Sequence, residues 1–153
     1  MTSVTLVEDM NPAVEAILAR HHAAMSEATP EESCHVMTAK ALRSSGASVY
    51  ALRDETGEIC AVGALKPFGS GAVELKSMHV AAEARGRGYG KRLLDHLLAE
   101  ARRAGMAAAY LETGSEAGFA AARALYEGAG FAYCAPFGEY VPDRLSVFMS
   151  IKL

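Results

Sequence analysis

The sequence predicts one domain of the α+β class, built on a mixed sheet of six or seven strands with about four helices. Its 153 residues are 51% hydrophobic, which suits a single domain with a sizeable core. Aromatic residues make up only 7% and Trp is absent, a composition that favours mixed helix and sheet over an all-β sandwich. β-like runs lie on both sides of the strongest helical pattern, and neither a repeat nor a long linker divides the chain. We therefore expect a single domain over residues 1–153.

The first half of the chain is predicted to form a strand, two helices and a three-stranded antiparallel meander. Alternating apolar residues indicate a strand over 2–7, and Asn11-Pro12 has the residue types that open a helix, here over 13–25. Acidic residues after Thr29-Pro30 predict the start of a second helix that ends near Arg43. Three strand-like runs joined by short turns follow, at 48–53, 59–66 and 72–80.

The second half is predicted to alternate helices with strands. Leucines recur at helical spacing between Gly88 and Gly105, and the basic pair Arg102-Arg103 suits a helix C-terminus. The remaining predicted elements are a strand at 107–112, a helix at 117–127, and strands at 131–134 and 146–153.

Charge and cysteine content argue against several classes of function. The net charge of −3 gives no general reason to expect nucleic-acid or membrane binding. The N-terminus carries acidic residues where a signal peptide is basic, and the longest apolar run, 106–111, is far too short to cross a bilayer. The cysteines Cys34, Cys60 and Cys134 are odd in number and widely spaced, which favours reduced thiols and a cytoplasmic location. No Cys/His cluster has zinc spacing, so we expect no metal.

The most informative stretch is the glycine-rich segment Arg85-Gly86-Arg87-Gly88-Tyr89-Gly90-Lys91, which we call the anion loop. It lies between a predicted strand and the leucine-striped helix. Alternating glycines permit positive φ, so successive N–H groups can point into one concavity at the positive end of the helix dipole. Between Arg85 and Arg103 there are six Lys or Arg against two Asp or Glu, which concentrates positive charge there. We expect this loop to bind a phosphate or pyrophosphate.

Two familiar phosphate loops do not fit the anion loop. A dinucleotide fingerprint needs a glycine three residues past Gly88, where Lys91 stands. A Walker loop needs Ser or Thr after its lysine, and Lys91 precedes Arg92. The remaining alternative is a turn that merely joins the strand to the helix.

The anion loop is also the first of two motifs that carry a resemblance to a known family. Arg85-x-x-Gly88-x-Gly90, after a strand that ends in Met78-His79-Val80, resembles motif A of the GNAT superfamily of N-acetyltransferases. A second signature of that family recurs at 124–131, and the resemblance covers nearly the whole chain. Ser33-x-His35 and the segments 74–78, 111–114 and 136–149 resemble a small bacterial branch whose members are sometimes labelled auxin acetyltransferases. The resemblance implies the GNAT acyltransferase fold and acetyl-CoA as acyl donor.

The resemblance assigns coenzyme A binding to the anion loop and to the strand before it. The loop backbone would hold the pyrophosphate, and main-chain groups of Met78 and Val80 would pair with the pantetheine arm. Basic side chains would contact the phosphates, although exposed Arg and Lys at a helix start also occur as ordinary solubilising charge. The implied cofactor-binding residues are Met78, His79, Val80, Arg85, Gly86, Arg87, Gly88, Tyr89, Gly90 and Lys91.

Two catalytic residues are implied by the same resemblance. Tyr126 matches the family's usual proton donor to the coenzyme A thiolate, but its place on a helical stripe with Phe119 and Ala122 is also that of a core tyrosine. Glu74 stands six residues before Val80, the separation of the general base in histone acetyltransferase members. A glutamate in a central strand is costly unless it is solvated or paired, and pairing with Lys76 is the structural alternative.

The acceptor side is less constrained by the sequence. The first two helices and the loop at 137–144 would form the acceptor pocket, so His35, Phe137 and Tyr140 are candidate substrate-binding residues. His35 is equally interpretable as a structural histidine, Cys34 as a core residue, and His21-His22 as surface. Cys34 and His35 are adjacent and would point about 100° apart on a helix, so they make a poor metal pair.

The expected function is acetyl transfer from acetyl-CoA to the primary amine of a small molecule, by direct attack in a ternary complex. A non-catalytic acyl-CoA-binding module and a protein-lysine acetyltransferase are the alternatives. A homodimer is common in the family the chain resembles, and no nucleic-acid or membrane partner is expected.

Overall fold

A computed structural model describes residues 2–28 and 38–153, and this part of the chain forms seven strands and four α-helices. The helices are α1 (Pro12–Ala28), α2 (Ala39–Ser44), α3 (Tyr89–Arg103) and α4 (Ala120–Gly128). The strands are β1 (Ser3–Val7), β2 (Ser48–Arg53), β3 (Ile59–Phe68), β4 (Ala72–Val80), β5 (Ala108–Gly114), β6 (Ala132–Cys134) and β7 (Ser146–Lys152). Single turns of 3₁₀ helix follow β4 and precede α4.

All seven strands belong to one mixed sheet in the order β1-β2-β3-β4-β5-β7-β6. Strands β2, β3 and β4 form the predicted antiparallel meander. Only the pair β4 and β5 is parallel, because α3 returns the chain to the same end of the sheet between them. The mixed α+β fold predicted from the sequence is confirmed.

The sheet is covered on both faces. Leu93, Leu94 and Leu97 of α3 are fully buried, as the leucine stripe predicts. Val80 lies against Gly90 at the start of α3, whereas its neighbour His79 contacts His21 of α1. Since successive strand residues point to opposite faces, α1 and α3 pack on opposite sides of the sheet.

The element boundaries differ from the predicted ones in a few places. Helix α1 continues three residues beyond the predicted end, to Ala28, since nothing in the sequence there breaks a helix. The predicted start of the second helix, at 29–32, lies outside the described residues; α2 begins at Ala39, capped by the Thr38 hydroxyl, and ends within one residue of the predicted Arg43. The predicted helix at 117–127 is a 3₁₀ turn followed by α4.

Candidate active site

The parallel strands β4 and β5 separate part of the way along their length, and a cavity of about 600 Å³ opens beside the point where they part. Their pairing joins Ala72–Leu75 to Ala108–Leu111, yet β4 continues to Val80 and β5 to Gly114. The β5-facing edge of β4 beyond Leu75 is therefore paired with no strand of the described chain. Unpaired strand N–H and C=O groups are available to an extended ligand that lies in the cavity.

The cavity brings most of the predicted site residues together. The predicted residues in its wall are Glu74, Met78, His79, Val80, Arg85, Gly86, Gly88, Tyr89, Gly90, Lys91, Tyr126 and Tyr140. Arg87 is exposed and is not among the lining residues, and neither is Phe137. His35, with its neighbour Cys34, lies outside the described residues.

A β-bulge in β4 sets which side chains share the cavity's α1 side. The register pairs Ala64 with Lys76 but Val62 with His79, so Gly63 faces two residues of β4. Ser77 takes up the extra residue with a φ of 56°, a conformation that L side chains rarely adopt. Partners across an antiparallel pair share a face, so the bulge places His79 on the same face as Lys76.

Gly63 faces the bulge at a place with little room for a side chain. A Cβ atom built on this residue would lie 2.5 Å from the Met78 sulfur and 3.1 Å from a methyl carbon of Leu97. A larger residue would therefore force the Met78 side chain, which lines the cavity, to shift.

The anion loop has the backbone geometry that the glycine pattern predicts at two of its three glycines. Gly86 and Gly88 have φ values of 81° and 78°, with open space around each Cα, and Gly88 is the N-cap residue of α3. No side chain caps this helix, and its first residues, Tyr89 and Gly90, line the cavity, so its uncapped N–H groups lie at the cavity wall. Gly90 has no positive φ, and a Cβ atom built there would lie 3.4 Å from the side chains of Leu125 and Val80, an ordinary contact distance. The backbone donors and helix dipole fit a pyrophosphate.

The basic side chains of the anion loop are only partly available to a ligand. The Arg85 Nε donates to the Val80 carbonyl at 3.2 Å, and Lys91 forms an exposed ion pair with Asp95 at 2.8 Å. Both side chains can exchange these partners for phosphate oxygens at small cost, since exposed ion pairs contribute little.

Tyr126 belongs both to the core and to the cavity wall. Its side chain is 6% exposed, its ring packs edge-on against Phe131, and it lines the cavity. Burial, and secondarily the Glu112 carboxylate, raise the pKa of the Tyr126 phenol well above its ordinary value. The hydroxyl therefore stays protonated across the working pH range and is a hydrogen-bond donor.

Glu74 lies at the base of a small polar network. The residue is 8% exposed; its Oε2 accepts a 2.6 Å hydrogen bond from the Tyr140 hydroxyl and lies 3.4 Å from the Lys76 Nζ. Burial, and then the Glu74 carboxylate, raise the pKa of Tyr140 far above its ordinary value, so this hydroxyl remains a donor. The pairing with Lys76 considered from the sequence is present, and both partners still line the cavity.

Phe137 packs behind the cavity wall and does not line the cavity. It packs against Phe68, Tyr110 and Phe148, with ring centroids 5.0–5.9 Å away, and against Tyr140 at 5.1 Å. This aromatic cluster fixes the Tyr140 ring, and through it the hydroxyl that binds Glu74.

His21 is a cavity residue that the sequence interpretation placed on the surface, and that expectation was wrong. His21 is half-buried in the cavity wall, with its Nδ1 3.1 Å from the Nδ1 of His79, whereas His22 is exposed as expected. The missed signal is helical spacing: Val14, Ile17 and Leu18 are buried, and position 21 continues that stripe.

Candidate membrane-spanning helices and metal sites are both absent from residues 2–28 and 38–153. In the described ranges, no helix is both long and apolar enough to traverse a bilayer. Within the same ranges, no group of three or more His, Cys, Asp or Glu side chains is arranged to hold a metal ion.

Comparison with known proteins gives consistent matches. The sequence model of the Acetyltransferase (GNAT) family matches residues 14–131. The uncharacterized N-acetyltransferase YsnE of Bacillus subtilis is 38% identical over 140 residues, 92% of each chain. The IAA acetyltransferase of Azospirillum brasilense is 35% identical over 157 residues, and the alignment covers 100% of each chain. A Klebsiella pneumoniae structure assigned as an acyl-CoA N-acyltransferase superposes with a TM-score of 0.81 at 29% identity, covering 100% of this chain and 98% of that one.

Proposed function

Because the chain belongs to the Acetyltransferase (GNAT) family, we propose that it transfers the acetyl group of acetyl-CoA to the primary amine of a small-molecule acceptor, by direct attack in a ternary complex. Acetyltransferase activity with acetyl-CoA is the family's activity. The observation that carries the finer proposal is one cavity that joins the anion loop, the free edge of β4, Glu74 and Tyr126.

Residues of this chain would hold acetyl-CoA at three places. The backbone of Gly86 and Gly88 and the N-terminus of α3 would bind the pyrophosphate, with Arg85 and Lys91 beside it. The free edge of β4 would pair with the pantetheine arm. When bound there, acetyl-CoA supplies an activated acyl carbon, and the β4 N–H groups near the bulge are suited to polarise its carbonyl.

Glu74 is suited to accept the first proton from the acceptor. An amine attacks only in its neutral form, and near pH 7 an alkylamine is protonated. Glu74 is a buried carboxylate in the cavity wall, fixed by Tyr140 and Lys76, and it would attract the cationic amine and take its proton directly or through one water.

Tyr126 is suited to stabilise the departing thiolate. Its phenol is protonated and held rigid by Phe131, so it would donate a hydrogen bond, and then a proton, as the C–S bond breaks. A thiolate that forms in a desolvated cavity has an increased proton affinity, which favours this transfer.

The size of the cavity and the burial of Glu74 favour a small acceptor over a protein. Glu74 is 8% exposed and its carboxylate is hydrogen-bonded to Tyr140, so an amine that reaches it has to enter a cavity of about 600 Å³ that acetyl-CoA would also occupy.

The decisive experiment is a steady-state assay of coenzyme A thiol release from acetyl-CoA over a panel of small primary amines and lysine-containing peptides. The proposal expects turnover with at least one small amine and only background release with the peptides. Efficient turnover of peptides alone would favour the protein-lysine alternative. Tight coenzyme A binding by calorimetry with no turnover on any amine would favour the non-catalytic module. Thermal-shift screening of amines in the presence of coenzyme A supplies the starting panel.

A further inference from the structure

A second pair of titratable side chains lies in the cavity wall, on the side formed by α1. His21 of α1 and His79 of β4 place their Nδ1 atoms 3.1 Å apart, with ring centroids 5.0 Å apart at 64°. Both residues line the cavity that contains Glu74 and Tyr126. Neither has a role in the steps given above for Glu74 and Tyr126.

The shared hydrogen bond fixes opposite tautomers in the two rings. A neutral imidazole carries one N–H, so an Nδ1 to Nδ1 hydrogen bond needs one Nδ1–H donor and one bare Nδ1 acceptor. The donor ring then has a bare Nε2, and the acceptor ring carries its proton on Nε2. Whichever ring is the donor, the pair has one lone pair at one outer end and one N–H at the other.

The surroundings keep both rings neutral near pH 7. Burial, followed by repulsion from His79 and His22, lowers the pKa of His21 to about 4. Burial, followed by Arg85 and Arg20, lowers the pKa of His79 to about 4. The charged and titratable side chains around the pair are thus Arg20 and His22 on α1 and Arg85 after β4, with Glu83 in an exposed ion pair to Arg20 at 3.2 Å.

The proposed reaction removes two protons from the acceptor nitrogen, and the steps given above assign only one of them. An alkylammonium has three N–H protons and the amide product has one, so two protons leave the nitrogen in each turnover. Glu74 takes the first, before attack. The second leaves after attack, when the nitrogen is positively charged and far more acidic than the free ammonium, because its lone pair is shared with the acyl carbon. A neutral imidazole of low basicity can accept this second proton.

We propose that the His21–His79 pair accepts this second proton and relays it to water, an inference that rests on the proposed function. The bare Nε2 of one ring takes the proton from the attached nitrogen as the amide forms. The shared Nδ1 proton moves to the partner ring, and the partner's Nε2–H proton passes to water. Both rings are again neutral, with their tautomers exchanged, and after product release the same transfers run in reverse between cavity water and bulk water and restore the starting tautomers. The thiolate takes its proton from Tyr126, which regains one from Glu74 through water.

The kinetic test uses His79→Asn and His21→Asn, because an asparagine side chain reaches the Nδ1 position but has no second nitrogen at Nε2. With the best primary amine of the panel, each variant is expected to lose at least tenfold in kcat, and the double variant little more. Coenzyme A affinity by calorimetry should stay unchanged, because β4 would pair with the pantetheine arm through its main chain and not through the His79 side chain. His22→Asn, on the exposed neighbour in α1, is the matched control and should keep its kcat. A wild-type kcat in either cavity variant overturns the relay.

Chemical rescue separates a relay from a packing role. In folded His79→Ala, added imidazole is expected to restore part of the lost kcat, with a dependence on pH that follows the free base of imidazole. A folded His79→Ala protein that loses kcat without any rescue, alongside a reduced melting temperature, identifies the pair as structural and overturns the proposal.

An NMR measurement tests the pair without any acceptor. In the ¹⁵N-labelled wild-type protein at pH 7, the imidazole nitrogens of His21 and His79 are expected to show one Nδ1–H and one Nε2–H tautomer. Two Nε2–H tautomers, or an imidazolium, overturn the proposal. If no amine is turned over, the function proposed above fails, while this spectrum still decides whether the tautomer-locked pair exists.

Discussion

Tyr126 shows how one residue serves packing and chemistry together. Its ring lies among buried apolar groups, and its hydroxyl is in the wall of the cavity. Tyr126→Phe removes one oxygen with almost no change of shape, so the melting temperature and coenzyme A affinity should stay close to wild type. The turnover number should fall by roughly 10² to 10⁴, the usual contribution of general acid catalysis. Steady-state kinetics and calorimetry on the same preparation provide the measurement.

A change of leaving group tests the same assignment independently. An acyl donor with a more acidic thiol departs without needing the phenol proton, so the Tyr126→Phe defect should shrink with such a donor. A variant that loses stability but keeps its turnover would show that the hydroxyl is only a buried structural group.

Glu74 is the second residue whose role predicts a distinct pH dependence. Glu74→Gln should lower the rate mainly at neutral and acidic pH, where the acceptor is an ammonium, and recover partly above the pKa of the amine itself. Glu55→Gln, on the exposed turn between β2 and β3, is the matched control and should follow the wild-type profile. A Glu74→Gln profile that is scaled down equally at every pH would remove Glu74 from the base role.

At the residue scale, the sequence was sufficient to predict the place of side chains that belong to a motif or whose neighbours are close along the chain. The glycines of the anion loop and the position of Glu74 in a strand are of this kind. The network of Glu74 with Tyr140 and the pair of His21 with His79 were not predictable, because each joins residues more than 50 positions apart. Such contacts depend on helix orientation and strand register, which one sequence does not specify.

The junction of β4, the anion loop and α3 is the element on which coenzyme A binding depends. Gly88→Val places a side chain where the backbone must approach phosphate, at a φ of 78°. Coenzyme A affinity by calorimetry should fall tenfold or more, about 1.4 kcal/mol.

Gly105 provides a control for backbone strain at the other end of α3. It has a φ of 80° with open space around it, so Gly105→Val should lower the melting temperature much as Gly88→Val does. Its coenzyme A affinity should remain that of the wild type. An equal loss of affinity in both variants, or in neither, would contradict the assignment of the anion loop.

Most elements were predictable because their patterns are local. The leucine stripe of α3 and the turns of the meander fix those elements within a residue or two. The bulge at Ser77 was not predictable: serine has no preference for a φ of 56°, and the conformation arises from the pairing of β4 with β3. Gly90 shows the limit of the motif, since it does not have the positive φ that the alternating glycines predict.

At the scale of the molecule, the two strands that part at the cavity, β4 and β5, belong to one continuous sheet. The seven strands form a single sheet, and most of the buried apolar residues of the described chain belong to one core cluster. We therefore predict one calorimetric unfolding transition, with coincident signals from circular dichroism and intrinsic tyrosine fluorescence. Coenzyme A at about 100 times its Kd should shift the whole transition upward, by about 2.7 kcal/mol in free energy.

Two resolved transitions, with only one shifted by coenzyme A, would show that the chain is not a single domain. The homodimer that the family resemblance suggests remains a prediction at this scale, and light scattering at micromolar concentration tests it.

Because of the extra residue in β4, the side chains that face the cavity depend on the number of residues in the strand as well as on their types. If β4 kept Ser77 and ran through it as a regular strand with no bulge, every later side chain would change faces: the His79 imidazole would turn toward the leucines of α3, and Met78 and Val80 toward α1. An alignment that compares this chain with another across 74–80 therefore has to place its gap at the bulge. Two chains with the same residues in this strand but with the bulge at different positions would present different side chains to the acceptor.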